Sequence, residues 1–157
     1  MPRIHVHTFS VPAASIDVNR HVNNLEYLRW MQDVATAHSA AQGWPLERYV
    51  DLGAGWFVRS HTIEYLRPAV EGDSLSILTW VAGFGSGSSP RRYLFWRAAD
   101  RQIVARAQTL WVFVDFATGR PTRIPAALRS AFEVVPDDED ALRTAALGEP
   151  PRPVAEG

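Results

Sequence analysis

Asn24-Leu25-Glu26-Tyr27-Leu28-Arg29-Trp30-Met31-Gln32-Asp33-Val34-Ala35-Thr36-Ala37-His38-Ser39-Ala40-Ala41-Gln42 is the stretch that decides the fold. Leu25, Leu28, Met31, Val34 and Ala35 recur at helical spacing, and Tyr27 and Trp30 widen the apolar stripe. Glu26/Arg29 and Arg29/Asp33 form i,i+3 and i,i+4 pairs on the wetter side. Asn23 or Asn24 can accept from an orphan backbone N–H as N-cap. Gly43 suits the residue after the helix, and Pro45 prevents its continuation. Ala35, Ala37, Ala40 and Ala41 keep the last turns slim enough for close approach of a sheet. The spacing therefore predicts one helix over about 24–42, of roughly 28 Å at 1.5 Å per residue.

The flanking sequence reads as strands. Residues 4–11 alternate, with Ile4, Val6 and Thr8 on one face and His5, His7 and Phe9 on the other. Downstream, 56–65, 74–84, 91–99 and 102–116 are rich in β-branched and aromatic residues. They are separated by turn-forming residues at Glu71-Gly72-Asp73, the Gly/Ser run 83–90, Asp100-Arg101 and Ala117 to Arg120. A short helix is expected over 125–132. Four successive strands with short connections predict an antiparallel meander, with the helix covering one face. The fold class is α+β, a long helix against a curved antiparallel sheet of about five strands. Residues 136–157 combine the acidic run Asp137-Asp138-Glu139-Asp140 with Pro150, Pro151 and Pro153, and are expected to be a disordered tail after a single domain over 1–135.

Composition narrows the function. The 157 residues carry 16 basic and 17 acidic side chains, a net charge of −1, so no basic excess points to nucleic acid. Cysteine is absent, which removes disulfides, thiolate metal sites and a cysteine nucleophile. No apolar run reaches the ~18 residues of a spanning helix, and the N-terminus lacks a signal-peptide core, so a cytoplasmic protein without membrane insertion is expected. Nucleophile-elbow, phosphate-loop and dinucleotide fingerprints are missing. His5-x-His7 alone is a poor metal ligand set, and neither metal nor cofactor is expected.

One segment concentrates chemistry. Asp17-Val18-Asn19-Arg20-His21-Val22-Asn23-Asn24 places a carboxylate, three amides and an imidazole directly before the helix. The free N–H groups and positive partial charge of a helix N-terminus favour a developing oxyanion, and a carboxylate beside them can activate water. The same residues also suit an ordinary turn and cap.

The pattern Asp17-x-Asn19-x-His21-Val22-Asn23-Asn24-x-x-Tyr27-x-x-Trp30 resembles the signature of hotdog-fold thioesterases, above all the acyl-ACP thioesterases of plants. Ile63-Glu64-Tyr65-x-Arg67-Pro68-Ala69-x-x-Gly72-Asp73-x-Leu75 is similar to the strand and turn after the helix in bacterial acyl-CoA thioesterases of the 4-hydroxybenzoyl-CoA type. The resemblance spans about 4–132. It implies hydrolysis of an acyl-CoA or acyl-ACP thioester. Asp17 would act as general base on water or as nucleophile, with Asn19 and His21 orienting and polarising the reacting groups. Asn24 and the following amides would meet the carbonyl, and Tyr27 would edge the pocket. The resemblance also implies an active site between subunits, hence a symmetric homodimer or a dimer-based higher oligomer. The long apolar strand 102–116 is the expected site of association.

Two departures stand out. Arg20 replaces the glycine of the 4-hydroxybenzoyl type, and Pro68 falls where the plant enzymes carry a catalytic glutamate, leaving Glu64 and Glu71 as substitutes. Arg91 and Arg92, beside the Gly/Ser run, are the candidates for the carrier's phosphates at a groove mouth. Trp56, Phe57 and Val58 are candidates for an acyl pocket. His61 reads as a structural residue sharing a strand face with Arg59 and Tyr65. An acyl-thioester dehydratase and a non-catalytic acyl-CoA-binding protein are the competing functions.

Overall fold

The structure, a computed structural model, describes residues 3–138 and 141–143. Strand β1 (His5–Ser10) leads through a 3-10 turn (Ala13–Ser15) to helix α1 (Asn24–Ala41). Helix α2 (Leu46–Leu52), strands β2 (Ala54–Tyr65), β3 (Ser74–Val81), β4 (Ser88–Arg97) and β5 (Gln102–Asp115), and helix α3 (Ala126–Ser130) follow. The strands form one antiparallel sheet in the order β1-β3-β4-β5-β2. Bulges in the pairing at Val58/Ser60 and Phe95/Trp96 bend it.

This order corrects the expected four-strand meander. Only β3, β4 and β5 follow one another; β2 pairs with β5, as in Ile63 opposite Ala107, and β1 pairs with β3. The long apolar strand β5 is therefore interior, and the open edges belong to β1 and β2. The bulge leaves Arg59 out of register, so it does not share a simple period-two face with His61 and Tyr65.

The apolar stripe of α1 lies on one face of the sheet. Tyr27, Met31 and Val34 form one core with Leu75, Ile77, Tyr93, Phe95 and Val104. Met31 is fully buried. A second core brings together Trp44, Tyr49, Phe113, Leu128 and Phe132, and His38 near the end of α1 packs edge-on to Phe132. Helix α2 stops at Gly53, whose φ of +81° closes the turn, and Tyr49 is its buried anchor.

The opposite face of the sheet is apolar too. Leu78, Trp80 and Leu94 pack with Val135 and Ala141, and Leu142 adds to the cluster. The Val135 N–H donates to the Val81 carbonyl at 2.9 Å, and Arg92 pairs with Asp138 at 3.4 Å. The beginning of the expected disordered tail is thus seated on the sheet, because Trp80 and Leu94 offer apolar area to cover. The remainder of that expectation, 139–140 and 144–157, lies outside the described residues. No helix among the described residues is long and apolar enough to cross a membrane.

Met31 sits where the helix meets the sheet. Met31→Ala is expected to lower the unfolding free energy by about 2–5 kcal/mol, read from a urea midpoint with unchanged slope.

Candidate active site

Residues 17–21 close on themselves. Ile16 and Val22 form an isolated antiparallel bridge, the Asp17 N–H donates to the His21 carbonyl at 2.9 Å, and the Arg20 N–H donates to the Asp17 carbonyl at 3.0 Å. Asp17 braces the loop from within: its Oδ1 accepts from the N–H of Asn19 at 2.9 Å and of His21 at 3.4 Å. This Asx-type bonding is why Asp suits a tight loop. It also fixes the carboxylate and leaves Oδ2 without a hydrogen bond among the described residues. Arg20 takes a φ of +66°, in the left-handed region that glycine enters without strain.

The loop is tied down on both sides. The Val22 N–H donates to the Ala69 carbonyl at 2.9 Å, and the Asn23 N–H to the Ser15 carbonyl at 2.8 Å. Ser15 Oγ donates to Glu26 at 2.7 Å, joining the approach to the first turn of α1. Asn23 is the N-cap, its side chain accepting from the Leu25 N–H at 2.9 Å. The Asn24 N–H has no acceptor among the described residues, so an orphan donor of the helix start lies just beyond the loop.

His21, Asn24 and Tyr27 line a cavity of about 230 Å³, closed on its far side by Tyr65, Arg67 and Pro68. Tyr27 is a wall rather than a reacting group: its ring packs edge-on to Trp30, Tyr65 and Phe95. Burial pushes its phenol up to about 12. The Tyr65 hydroxyl donates to the Asn24 carbonyl at 3.4 Å. Pro68, where the plant enzymes would carry glutamate, does face this cavity, and none of the described residues lining it is a carboxylate. Glu64 and Glu71 are exposed and outside it, so neither fills that position.

The structure thus joins Asp17, Asn19 and His21 in one loop, and His21, Asn24 and Tyr27 on one cavity. The Asn19 side chain is exposed and makes no hydrogen bond among the described residues; its backbone N–H is what touches Asp17. Arg91 lies elsewhere. It was expected at an exposed groove mouth, but it is only 6% exposed. It lines a second cavity, of about 280 Å³, formed by the last turns of α1, α2 and the start of β2. Register explains the difference: Arg91 shares the inward face of β4 with Tyr93 and Phe95. Arg92 points the other way, to Gln108 and Asp138. Trp56 and Phe57 line the Arg91 cavity as anticipated for an apolar pocket, whereas Val58 does not.

Sequence reasoning passed over His38, Ser39 and Tyr49. Nη1 of Arg91 donates to His38 Nδ1 at 3.0 Å, and Ser39 Oγ meets the Tyr49 hydroxyl at 2.7 Å. The signal was available, because Ala35, His38, Ser39 and Gln42 are spaced three and four apart on the buried side of α1. His61 Nδ1 bonds Thr109 Oγ1 at 2.8 Å, and burial pushes its pKa down, in keeping with a structural residue.

Residues 11–132 match the thioesterase-like superfamily. The chain belongs to that superfamily. Over 81 residues it is 31% identical to the chloroplastic acyl-[acyl-carrier-protein] hydrolase FATB3 of Cuphea viscosissima, a stretch covering 52% of this chain and 19% of that protein. The chain thus spans about a fifth of that relative's length. It is 26% identical over 121 residues to the long-chain acyl-CoA thioesterase FadM of Escherichia coli (strain K12), covering 75% of this chain and 89% of that one. The crystal structure of Slr0204, a 1,4-dihydroxy-2-naphthoyl-CoA thioesterase from Synechocystis, superposes with a TM-score of 0.75 at 19% identity, over 82% of this chain and 94% of that one. The hotdog fold reached from the sequence is the fold these thioesterases share.

The loop geometry makes a testable demand on Arg20. A non-glycine residue in the left-handed region costs roughly 1–2 kcal/mol, so Arg20→Gly is expected to raise Tm modestly. Arg20→Val, β-branched at the same φ, should lower it by several degrees in a thermal melt.

Proposed function

We propose that the chain hydrolyses an acyl thioester, with CoA as first carrier and ACP as second, and that Asp17 activates the water. The observation that carries this reading is the anchoring of Asp17 Oδ1 by two backbone N–H groups beside the start of α1. One oxygen is immobilised and the other is left for a water molecule. The thioester carbonyl would lie against the Asn24 N–H, where the positive end of the helix stabilises the oxyanion as water adds to the carbonyl carbon. Oδ2 takes the proton of that water. Collapse of the tetrahedral intermediate breaks the C–S bond and expels the thiolate, which recovers a proton. His21, which lines the cavity, would orient the thioester. Asn19 acts through its backbone N–H by holding Asp17. Tyr27 shapes the cavity. No step calls on a metal or cofactor.

Association through β2 belongs to the same proposal. β2 is a 12-residue open edge with Phe57, Val58 and Tyr65 exposed beside unpaired backbone groups. Such an edge invites pairing with a second copy.

The decisive variant is Asp17→Asn, which retains an Oδ1 acceptor for both N–H groups and removes the base. It should reduce kcat for thiol release from an acyl-CoA by about 10²–10⁴-fold, with Tm unchanged. A loss below about threefold would remove Asp17 from this role. The protein has no cysteine, so a thiol reagent meets no background from it. Light scattering at micromolar concentration should give at least twice the mass of one chain; a monomer would contradict the β2 association.

A further inference from the structure

The second cavity differs from the first in both place and chemistry. Thr36 and Ser39 on its wall lie 12 and 15 residues along α1 from Asn24, which is about 18–22 Å of helix. The two cavities share no lining residue. Its walls are largely aromatic, with Trp44, Trp56, Phe57, Phe84 and Phe132 among them. Among the described residues, Arg91 is the one charged residue lining it, and no carboxylate does.

This arginine is not neutralised. Its Nη1 donates to His38 Nδ1 at 3.0 Å and to Thr79 Oγ1 at 3.1 Å. Because a guanidinium only donates, His38 must accept there through an unprotonated Nδ1. Nε and Nη2 make no hydrogen bond, and Arg91 makes no salt bridge, among the described residues. The groups that act on it electrostatically are the phenols of Tyr93 and Tyr49, and burial pushes both upward, so they stay neutral. His5 stacks on His38 at 5.3 Å, and burial, together with the Arg91 charge, pushes its pKa down. The described groups that bond or act on Arg91 are therefore neutral, and a buried cation without a counter-ion is costly to maintain. The cost is offset if an anion enters the cavity. The Nε/Nη2 edge presents two parallel donors, the match for the two oxygens of a carboxylate. The aromatic walls demand an apolar body, and about 280 Å³ limits it to a compact one.

We propose that this cavity binds a compact organic acid, its carboxylate on the Nε/Nη2 edge of Arg91 and its apolar body among Trp44, Trp56 and Phe132. Two sources share that chemistry. One is a free carboxylic acid. The other is an acyl group bearing a carboxylate at its far end; that source rests on the hydrolytic reading and needs the reacting loop of a second subunit, given the length of helix between cavity and loop.

Calorimetric titration of the full chain with benzoate and octanoate, and with the neutral benzamide and octanamide, tests the proposal. At least one acid should bind ten or more times more tightly than its amide, and Arg91→Met should erase the difference. In the unaltered protein the Arg91 Nε–H resonance should shift with the acid and not with the amide, which keeps the test valid if the variant fails to fold. Equal binding of acid and amide, binding of neither, or unaltered acid binding by folded Arg91→Met would overturn it. Hydrolysis of octanoyl-CoA against its ω-carboxyl counterpart separates the sources. A tenfold preference for the carboxylate-ended thioester that Arg91→Met abolishes identifies the acyl tail. Acid binding without that preference identifies a free acid. If neither thioester releases thiol, the hydrolytic reading fails while the titration still decides the cavity.

Discussion

The seat of α1 on the sheet governs the rest of the molecule. Met31, Tyr27 and Val34 are locked against Leu75, Ile77 and Phe95, so the helix can neither slide nor rotate without opening the core. Its N-terminus is consequently fixed beside Ala69, where the Val22 N–H bonds the chain, and the loop 17–21 hangs from that point and from the Ile16–Val22 bridge. On the proposed hydrolytic reading, the Asp17 carboxylate needs such support, because small misplacement is expensive in rate.

The two ends of one helix offer opposite environments. At the start, polar groups stand near water: an anchored carboxylate, an orphan N–H and an imidazole. Toward the end, the helix turns Ser39 to a cavity walled by aromatic rings and His38 to the buried guanidinium that lines it. The first environment suits proton transfer and oxyanion stabilisation. The second suits retention of an apolar molecule with one negative end. The same 18-residue element positions both, so they are rigid with respect to each other.

Much of this was legible from local pattern. The three-and-four spacing located α1 to within one residue of its end, and the Asp17 to Asn24 composition located the loop before it. Strand pairing was less accessible. β2 joins β5 across two intervening strands, and no local pattern encodes a pairing of that separation. Helix α2 is seven residues long, too short for periodicity to declare it. Val135, Ala141 and Leu142 flank the acidic run 137–140, which masks their apolar character in the sequence, and they pack with Trp80 and Leu94 on the far face of the sheet. The inward direction of Arg91 was readable from Tyr93 and Phe95 on the same face; the neutral aromatic surroundings, assembled from distant segments, were not.

The central claim is that the thioester carbonyl is held between the start of α1 and the free oxygen of Asp17. A crystal structure with an acyl-CoA analogue in which a methylene replaces the thioester sulfur examines it most directly, since the ketone keeps the carbonyl but cannot be hydrolysed. The account predicts the carbonyl oxygen within about 3 Å of the Asn24 nitrogen, with Asp17 Oδ2 facing the carbonyl carbon through a water molecule. A carbonyl lodged away from both, whatever the position of the acyl chain, would contradict it.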